Sequence, residues 1–234
     1  MAKLPILMYH DISTHKSGDL VISLEKLEAQ FAYLEAQDYQ SYHFSELEGL
    51  ETLKSVKNIV ITFDDAYVSQ VELAYPLLKK YKLKATIFVP FNFVGKKDAW
   101  NTNSVPIMTV EQLKKIDTSV FELGFHSFDH KKYDELSLVH MEQDITKSIQ
   151  FVADHHLNFA PALAYPYGKY PKRNPVKREF FEMLKDYDLK YGLRIGNRIN
   201  NFPFKTPYEI QRIDVRGDFS MTTFRRKLLF SRWF

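Results

Sequence analysis

The stretch NIVITF at 58–63 is apolar at consecutive positions and rich in β-branched residues. That is the pattern of a parallel strand covered on both faces, not of a strand with one wet side. ATIFVP at 85–90 repeats it, and PILMYH (5–10), YQSYHF (39–44), VFELGF (120–125), FAPALAYP (159–166) and segments near 189–195 and 208–215 read as further strands. Between them lie helical patterns. In SLEKLEAQFAYLEAQ (23–37), Leu24, Leu27, Phe31 and Leu34 recur at helical spacing behind Ser23 as N-cap. Thr109 opens TVEQLKKID (109–117) in the same way, and longer helices are expected over 136–156 and 175–187. A helix over 68–81 contains Pro76, which should kink it or remove one hydrogen bond. Strand–helix alternation from end to end predicts a parallel α/β sheet, and the number of units predicts a closed or nearly closed barrel. With 234 residues, 45% of them hydrophobic, and no repeat or linker, residues 1–234 are expected to form a single domain.

Composition excludes several classes. Lys+Arg 32 against Asp+Glu 29 is too even for a nucleic-acid partner, which asks for concentrated basic stripes. The basic cluster Arg225, Arg226 and Lys227 before LLFSRWF reads as a solvated helix flank. The absence of cysteine removes disulfides, thiolate nucleophiles and cysteine-ligated zinc. No apolar run approaches the ~18 residues of a membrane span. MAKLPILMYH runs straight into a strand with no charged-then-apolar leader, so the expectation is a cytoplasmic protein for the chain as written, and a cell-envelope or secreted one if it is trimmed. A monomer is expected.

In α/β barrels chemistry gathers where strands end, and four polar groups fall there: His10, Asp64-Asp65, His126 to His130, and Tyr165-Pro166-Tyr167-Gly168. An isolated Asp-Asp is ordinarily a helix cap or a solvated pair. At the end of an apolar strand, two like charges need a cation or a shared proton. Aspartyl-phosphate chemistry asks for D-x-D, whereas Asp64 is followed by Asp65, Ala66 and Tyr67. HSFDH places two histidines four apart, and with one carboxylate they make a two-His-one-carboxylate site for zinc or a similar divalent metal. Asp65 supplies that carboxylate, leaving Asp64 to act as a base on a metal-activated water.

ITFDDA, ELGFHSFDH and YPYG, in this order, with LMYHDI, ATIFV and MTVEQL around them, resemble the polysaccharide deacetylase family with the NodB homology domain, also called carbohydrate esterase family four. The resemblance covers roughly residues 4 to 215. It implies a distorted (β/α) barrel of about seven parallel strands and metal-dependent removal of N-acetyl groups from an N-acetylated glycan. By the same resemblance Asp64 is the catalytic base, and Asp65, His126 and His130 hold Zn2+, or another divalent metal such as Co2+ or Ni2+. The backbone N–H of Tyr167 would face the developing oxyanion.

Two positions depart from the family pattern. An arginine that orients the base is expected two residues before the PY pair, where this chain has Ala164. The late leucine-x-histidine, whose histidine acts as general acid, should fall near YGLRIGN (191–197), yet no histidine follows His156. His10 is the replacement acid on this reading, since MYH resembles the branch that deacetylates poly-β-1,6-N-acetylglucosamine, and Arg212 is the candidate for the missing arginine. Two alternatives follow: a catalytically impaired glycan-binding relative, or a deacetylase of O-acetyl or other acyl groups. The aromatic loop from Phe91 to Trp100 is expected to shape one wall of the groove.

Overall fold

The computed structural model describes residues 1–101 and 105–230. Its centre is a closed barrel of β1 (Ile6–Tyr9), β2 (Asn58–Phe63), β3 (Ala85–Val89), β4 (Phe121–Phe125), β5 (Ala162–Ala164), β6 (Tyr191–Ile195) and β7 (Ile210–Asp214). Each strand pairs in parallel with the next, and β7 closes onto β1 through Ile213↔Leu7 and Asp214↔Met8. This is the distorted seven-stranded (β/α) barrel that the strand–helix alternation and the family resemblance both point to.

Outside it lie α1 (Leu24–Ala36), α2 (Tyr75–Lys80), α3 (Val110–Lys114), α4 (Leu138–Asp154), α5 (Val176–Asp186) and α6 (Met221–Leu229). Ser23 caps α1 by accepting from the Lys26 N–H, and Thr109 and Gln112 form a reciprocal capping box at α3. The effect expected of Pro76 takes the form of a π-helical segment, Gln70–Ala74, ahead of α2. There the Tyr75 N–H reaches the Gln70 carbonyl, and the wider turn relieves the crowding a proline ring imposes on the preceding turn.

Two expected strands are shorter than their apolar runs. Of 39–44 only Gln40–Ser41 pairs, against the start of β2, and Phe44 instead opens a short helix, Phe44–Leu47. The reason is local: Glu46 accepts from the His43 N–H and starts that helix, while Phe44 buries its ring. Of 159–166 only Ala162–Ala164 is strand, because Pro161 and Pro166 bracket it without N–H donors. The connection from β6 to β7 carries a strand, Asn200–Phe202, antiparallel to Ala2–Leu4 at the base of the barrel. The basic cluster Arg225 to Lys227 lies on α6, as expected; residues 231–234 of LLFSRWF lie outside the described residues. No helix among the described residues is long and apolar enough to cross a membrane.

The middle of the interior is apolar, filled by Ile6, Val60, Phe88, Ala162, Ala164, Leu193 and Ile210, with Leu4 and Phe202 below. Alternate residues face outward, so Leu7, Tyr9, Ile61, Phe63 and Ile87 pack with Leu27, Phe31 and Leu78 of the helices. Each such fully buried side chain contributes roughly 1.5–3 kcal/mol. This two-layer packing makes the barrel wall rigid enough to hold polar groups at its mouth.

Candidate active site

Because every barrel strand runs the same way, the residues after β1, β2, β4 and β5 meet at one mouth. His10, Asp64, Asp65, His126, His130 and Tyr167 all lie there, and Arg212 reaches them from within β7. All seven residues singled out by sequence come together.

Asp64 and Arg212 form a buried, two-pronged pair. Arg212 Nη1 lies 2.5 Å from Asp64 Oδ1 and Nη2 lies 2.7 Å from Oδ2. Arg212 is fully buried and Asp64 is 2% exposed. The guanidinium also donates to Thr62 Oγ1 and sits 5.5 Å from the centroid of the Phe88 ring. Gly124 makes room for that ring, since a Cβ there would approach Phe88 to 2.6 Å. An arginine from another strand thus pairs with Asp64, while position 164, two residues before the PY pair, carries a buried alanine. Burial pushes the Asp64 carboxyl up, but the charges of Arg212 and His126 and the Arg212 hydrogen bonds outweigh it and hold Asp64 below the usual carboxylate range.

Asp65 stands in a different setting. Its Oδ1 is 3.2 Å from His130 Nε2 and 3.5 Å from His126 Nε2, and one ligand atom from each of the three residues lies within 4.8 Å of the others. Asp65 Oδ1 is buried, yet among the described residues it takes part in no well-aligned hydrogen bond. Three buried donor atoms converge without satisfying one another, which fits a divalent cation. The spacings suit it as well: for bonds of ~2.0–2.1 Å, tetrahedral zinc ligands stand roughly 3.3 Å apart. His126 Nδ1 lies 2.8 Å from the Ala164 carbonyl, which can only accept, so the proton sits on Nδ1 and Nε2 turns its lone pair towards Asp65. Burial brings His126 down to about 4, with Asp64 and Asp65 opposing and His130 and Arg212 assisting, so the ring is neutral, as a ligand must be. Asp65 is held well below the carboxylate range: burial raises it, but the nearby His130 and His126 rings prevail.

The backbone around these groups is unusual. Asp65 (φ 72°), Ala66 (φ 51°), Ser127 (φ 65°), His130 (φ 52°) and Tyr167 (φ 57°) are all left-handed. Such residues cost of order 1–3 kcal/mol each and collect at functional sites. Gly168 (φ 65°) passes so close to Ile195 that a Cβ would meet its backbone nitrogen at 2.7 Å. His10 Nε2 lies 4.0 Å from Asp64 Oδ2.

Sequence reasoning missed three supports. Gln70, in the π-helical segment, donates through Nε2 to the carbonyls of both His10 and Asp64, tying two strand ends together. Asp144 of α4 accepts from the Phe128 and Asp129 N–H groups and the Tyr133 hydroxyl, anchoring the HSFDH loop. Trp100 stacks on His130. Gln70 and Asp144 sit in ordinary helical patterns, so no local signal marked them; Trp100 stood out only as an aromatic in a polar loop.

A metal-ready Asp-His-His group beside an Arg-paired aspartate, at the mouth of a seven-stranded barrel, defines a hydrolase-like site. The family model for polysaccharide deacetylase matches residues 53–179. YxkH of Bacillus subtilis (strain 168), assigned to the polysaccharide deacetylases, is 32% identical over 172 residues, 72% of this chain and 58% of that protein. The chain therefore belongs to the polysaccharide deacetylase family, and it spans less than two thirds of the length of that Bacillus relative. The poly-β-1,6-N-acetyl-D-glucosamine N-deacetylase of Staphylococcus aureus (strain MSSA476) is 25% identical over 221 residues, 90% of this chain and 73% of that protein. The Streptococcus pyogenes deacetylase PplD, solved in complex with acetate, shares the fold at a TM-score of 0.79 and 20% identity, covering 97% of this chain and 98% of that one.

Proposed function

We propose that this chain, with residues 1–234 as one catalytic domain, is a metal-dependent hydrolase that removes N-acetyl groups from N-acetylhexosamine units of a glycan. One observation carries the reading: two adjacent carboxylates stand in different environments, Asp64 paired with Arg212 and Asp65 facing His126 and His130. Asp65, His126 and His130 would hold Zn2+, with Co2+ or Ni2+ as substitutes, and the cation would supply a water whose pKa falls from ~15.7 towards ~7. Asp64, kept ionised by Arg212, takes a proton from the attacking water on a carboxylate oxygen. Arg212 engages both Asp64 oxygens and so fixes the carboxylate plane. The Tyr167 N–H stabilises the developing oxyanion. His10 donates from Nε2 to the leaving amine nitrogen as the carbon–nitrogen bond breaks, giving acetate and a free amino sugar. Its 4.0 Å separation from Asp64 Oδ2 supports that role in place of a late histidine.

The Arg212 pair also weakens the rival reading of an impaired glycan-binding relative, because it fills one of the two departures behind that reading. Similarity to the Staphylococcus aureus enzyme supports a β-1,6-linked glycan as the first substrate to try. The test is acetate release from β-1,6- and β-1,4-linked N-acetylglucosamine oligomers and from an O-acetylated model glycan, with and without chelator. Release from an N-acetylated oligomer that chelator stops and Zn2+ restores is expected. Tight glycan binding without release would favour the binding-protein reading. Faster release from the O-acetylated glycan would redirect the substrate, and release that chelator leaves untouched would overturn the metal reading.

A further inference from the structure

The two histidines facing Asp65 are oriented by different means. The His126 ring is fixed through Nδ1 on the Ala164 carbonyl, the usual way a ligating histidine is aimed. His130 Nδ1 is buried, and among the described residues no hydrogen-bond partner meets it. The His130 ring instead lies face to face with the Trp100 indole, centroids 3.8 Å apart and planes 18° apart. The rings of His126 and Tyr167 meet it at steep angles, both with centroids 5.0 Å away. A ring stacked this closely on a flat neighbour has its plane fixed by that neighbour.

The indole is itself held firmly. Phe93 packs edge-on against Trp100, centroids 4.8 Å apart. One turn away, fully buried Asp98 accepts from the Tyr67 hydroxyl, the Asn101 side-chain amide and the Val105 N–H. A buried carboxylate is tolerated only with such a donor set, so Asp98 pins the loop. Tyr67 follows Asp65 by two residues, and burial, with Asp65 and Asp98 nearby, raises its pKa and keeps the hydroxyl a donor. The Tyr67–Asp98 hydrogen bond thus ties the segment that follows Asp65 to the loop that carries Trp100, whose indole stacks on His130.

We infer that Trp100, anchored by Asp98, is a positioning residue for the metal centre: among the described residues its indole stands in for a hydrogen bond to His130 Nδ1 and sets the plane in which His130 Nε2 faces Asp65. This rests on the metal reading of the site. Two consequences follow. Losing the indole loosens one ligand of three, and losing an outer partner of a ligating histidine typically weakens metal binding ~10–100-fold. In addition, Trp100 fluorescence reports occupancy by an open-shell ion such as Co2+, which quenches an indole stacked on its ligand, whereas closed-shell Zn2+ is followed by heat.

The chain has two tryptophans, so Trp233→Phe isolates the signal of Trp100. The experiment titrates metal-free protein with Zn2+ and Co2+, following heat by calorimetry and Trp100 emission in the Trp233→Phe background. Trp100→Leu should bind Zn2+ at least ~10-fold more weakly than wild type, and Trp100→Phe, which keeps a ring on His130, within about threefold of it. Asp98→Ala, which keeps the indole but frees the loop, should fall between them, and a thermal melt of each variant separates loss of fold from loss of metal. Co2+ should quench Trp100 in step with the heat signal. Wild-type heat with an unchanged Kd in Trp100→Leu and no quench would overturn the Trp100 inference alone. Absence of heat and quench in folded wild type would overturn the metal reading and this inference together.

Discussion

Two carboxylates point into the same barrel from opposite ends, and they are handled in opposite ways. Glu122, near the base, accepts from the Phe44 and Ser45 N–H groups and the Ser45 and Thr86 hydroxyls, all neutral donors. Asp64, at the mouth, is answered by the full charge of Arg212, while its neighbour Asp65 keeps a buried oxygen without an aligned donor among the described residues. Both ends are reached by alternate residues of one strand, since Glu122, Gly124 and His126 share a face of the chain through β4. The base resolves its charge with backbone and hydroxyl groups and is finished as structure. The mouth leaves donor atoms converging, and convergent donors in a rigid frame are what binding and catalysis require.

Removing a ligand should have the largest effect at the mouth. His126→Ala is expected to lose bound metal and to bring acetate release to background, as measured by metal analysis and the acetate assay; retained stoichiometric metal would break the assignment. Next comes the pair. Arg212→Met leaves the Asp64 charge buried without its partner and should cost ~3–5 kcal/mol in urea unfolding. Glu122→Gln, which keeps its shape and exchanges neutral contacts, should cost only about 1–3 kcal/mol. Equal losses would erase the contrast between the two ends.

The smallest effect is one of pH. Folded His126 sits at about 4, below the ordinary histidine value of ~6.5, so on acidification the unfolded chain takes up the proton first. The His126 contribution is therefore present above ~6.5 and is lost as pH falls towards about 4. Asp64 and Asp65, both lowered, lose theirs lower still, below the usual carboxylate range. The Tm of metal-free protein, followed from neutral pH to about 4, should fall across that window. A flat profile would contradict a buried, neutral His126.

Much of the mouth was legible in the chain because its parts lie next to strand ends. Asp64 and Asp65 terminate β2, and the two histidines of HSFDH leave β4, so position along a strand already gave position in space. The rest depends on contacts between distant segments. Arg212 reaches Asp64 across 148 residues of chain, and nothing local in EIQRIDV separates it from an ordinary ion-pairing arginine. Gln70 reaches two carbonyls from the start of a π-helical segment that no local pattern announces. At 39–44 and 159–166 the strands are shorter than their apolar runs, because a local helix start and flanking prolines override the pattern.

The central claim is that adjacent aspartates divide the work, Asp65 holding the cation and Asp64 taking the proton. Metal content and acetate release measured together on Asp64→Asn test it most directly. Stoichiometric metal with turnover reduced ~10²–10⁴-fold is the result this account predicts. Wild-type turnover, or metal lost along with activity, would contradict it.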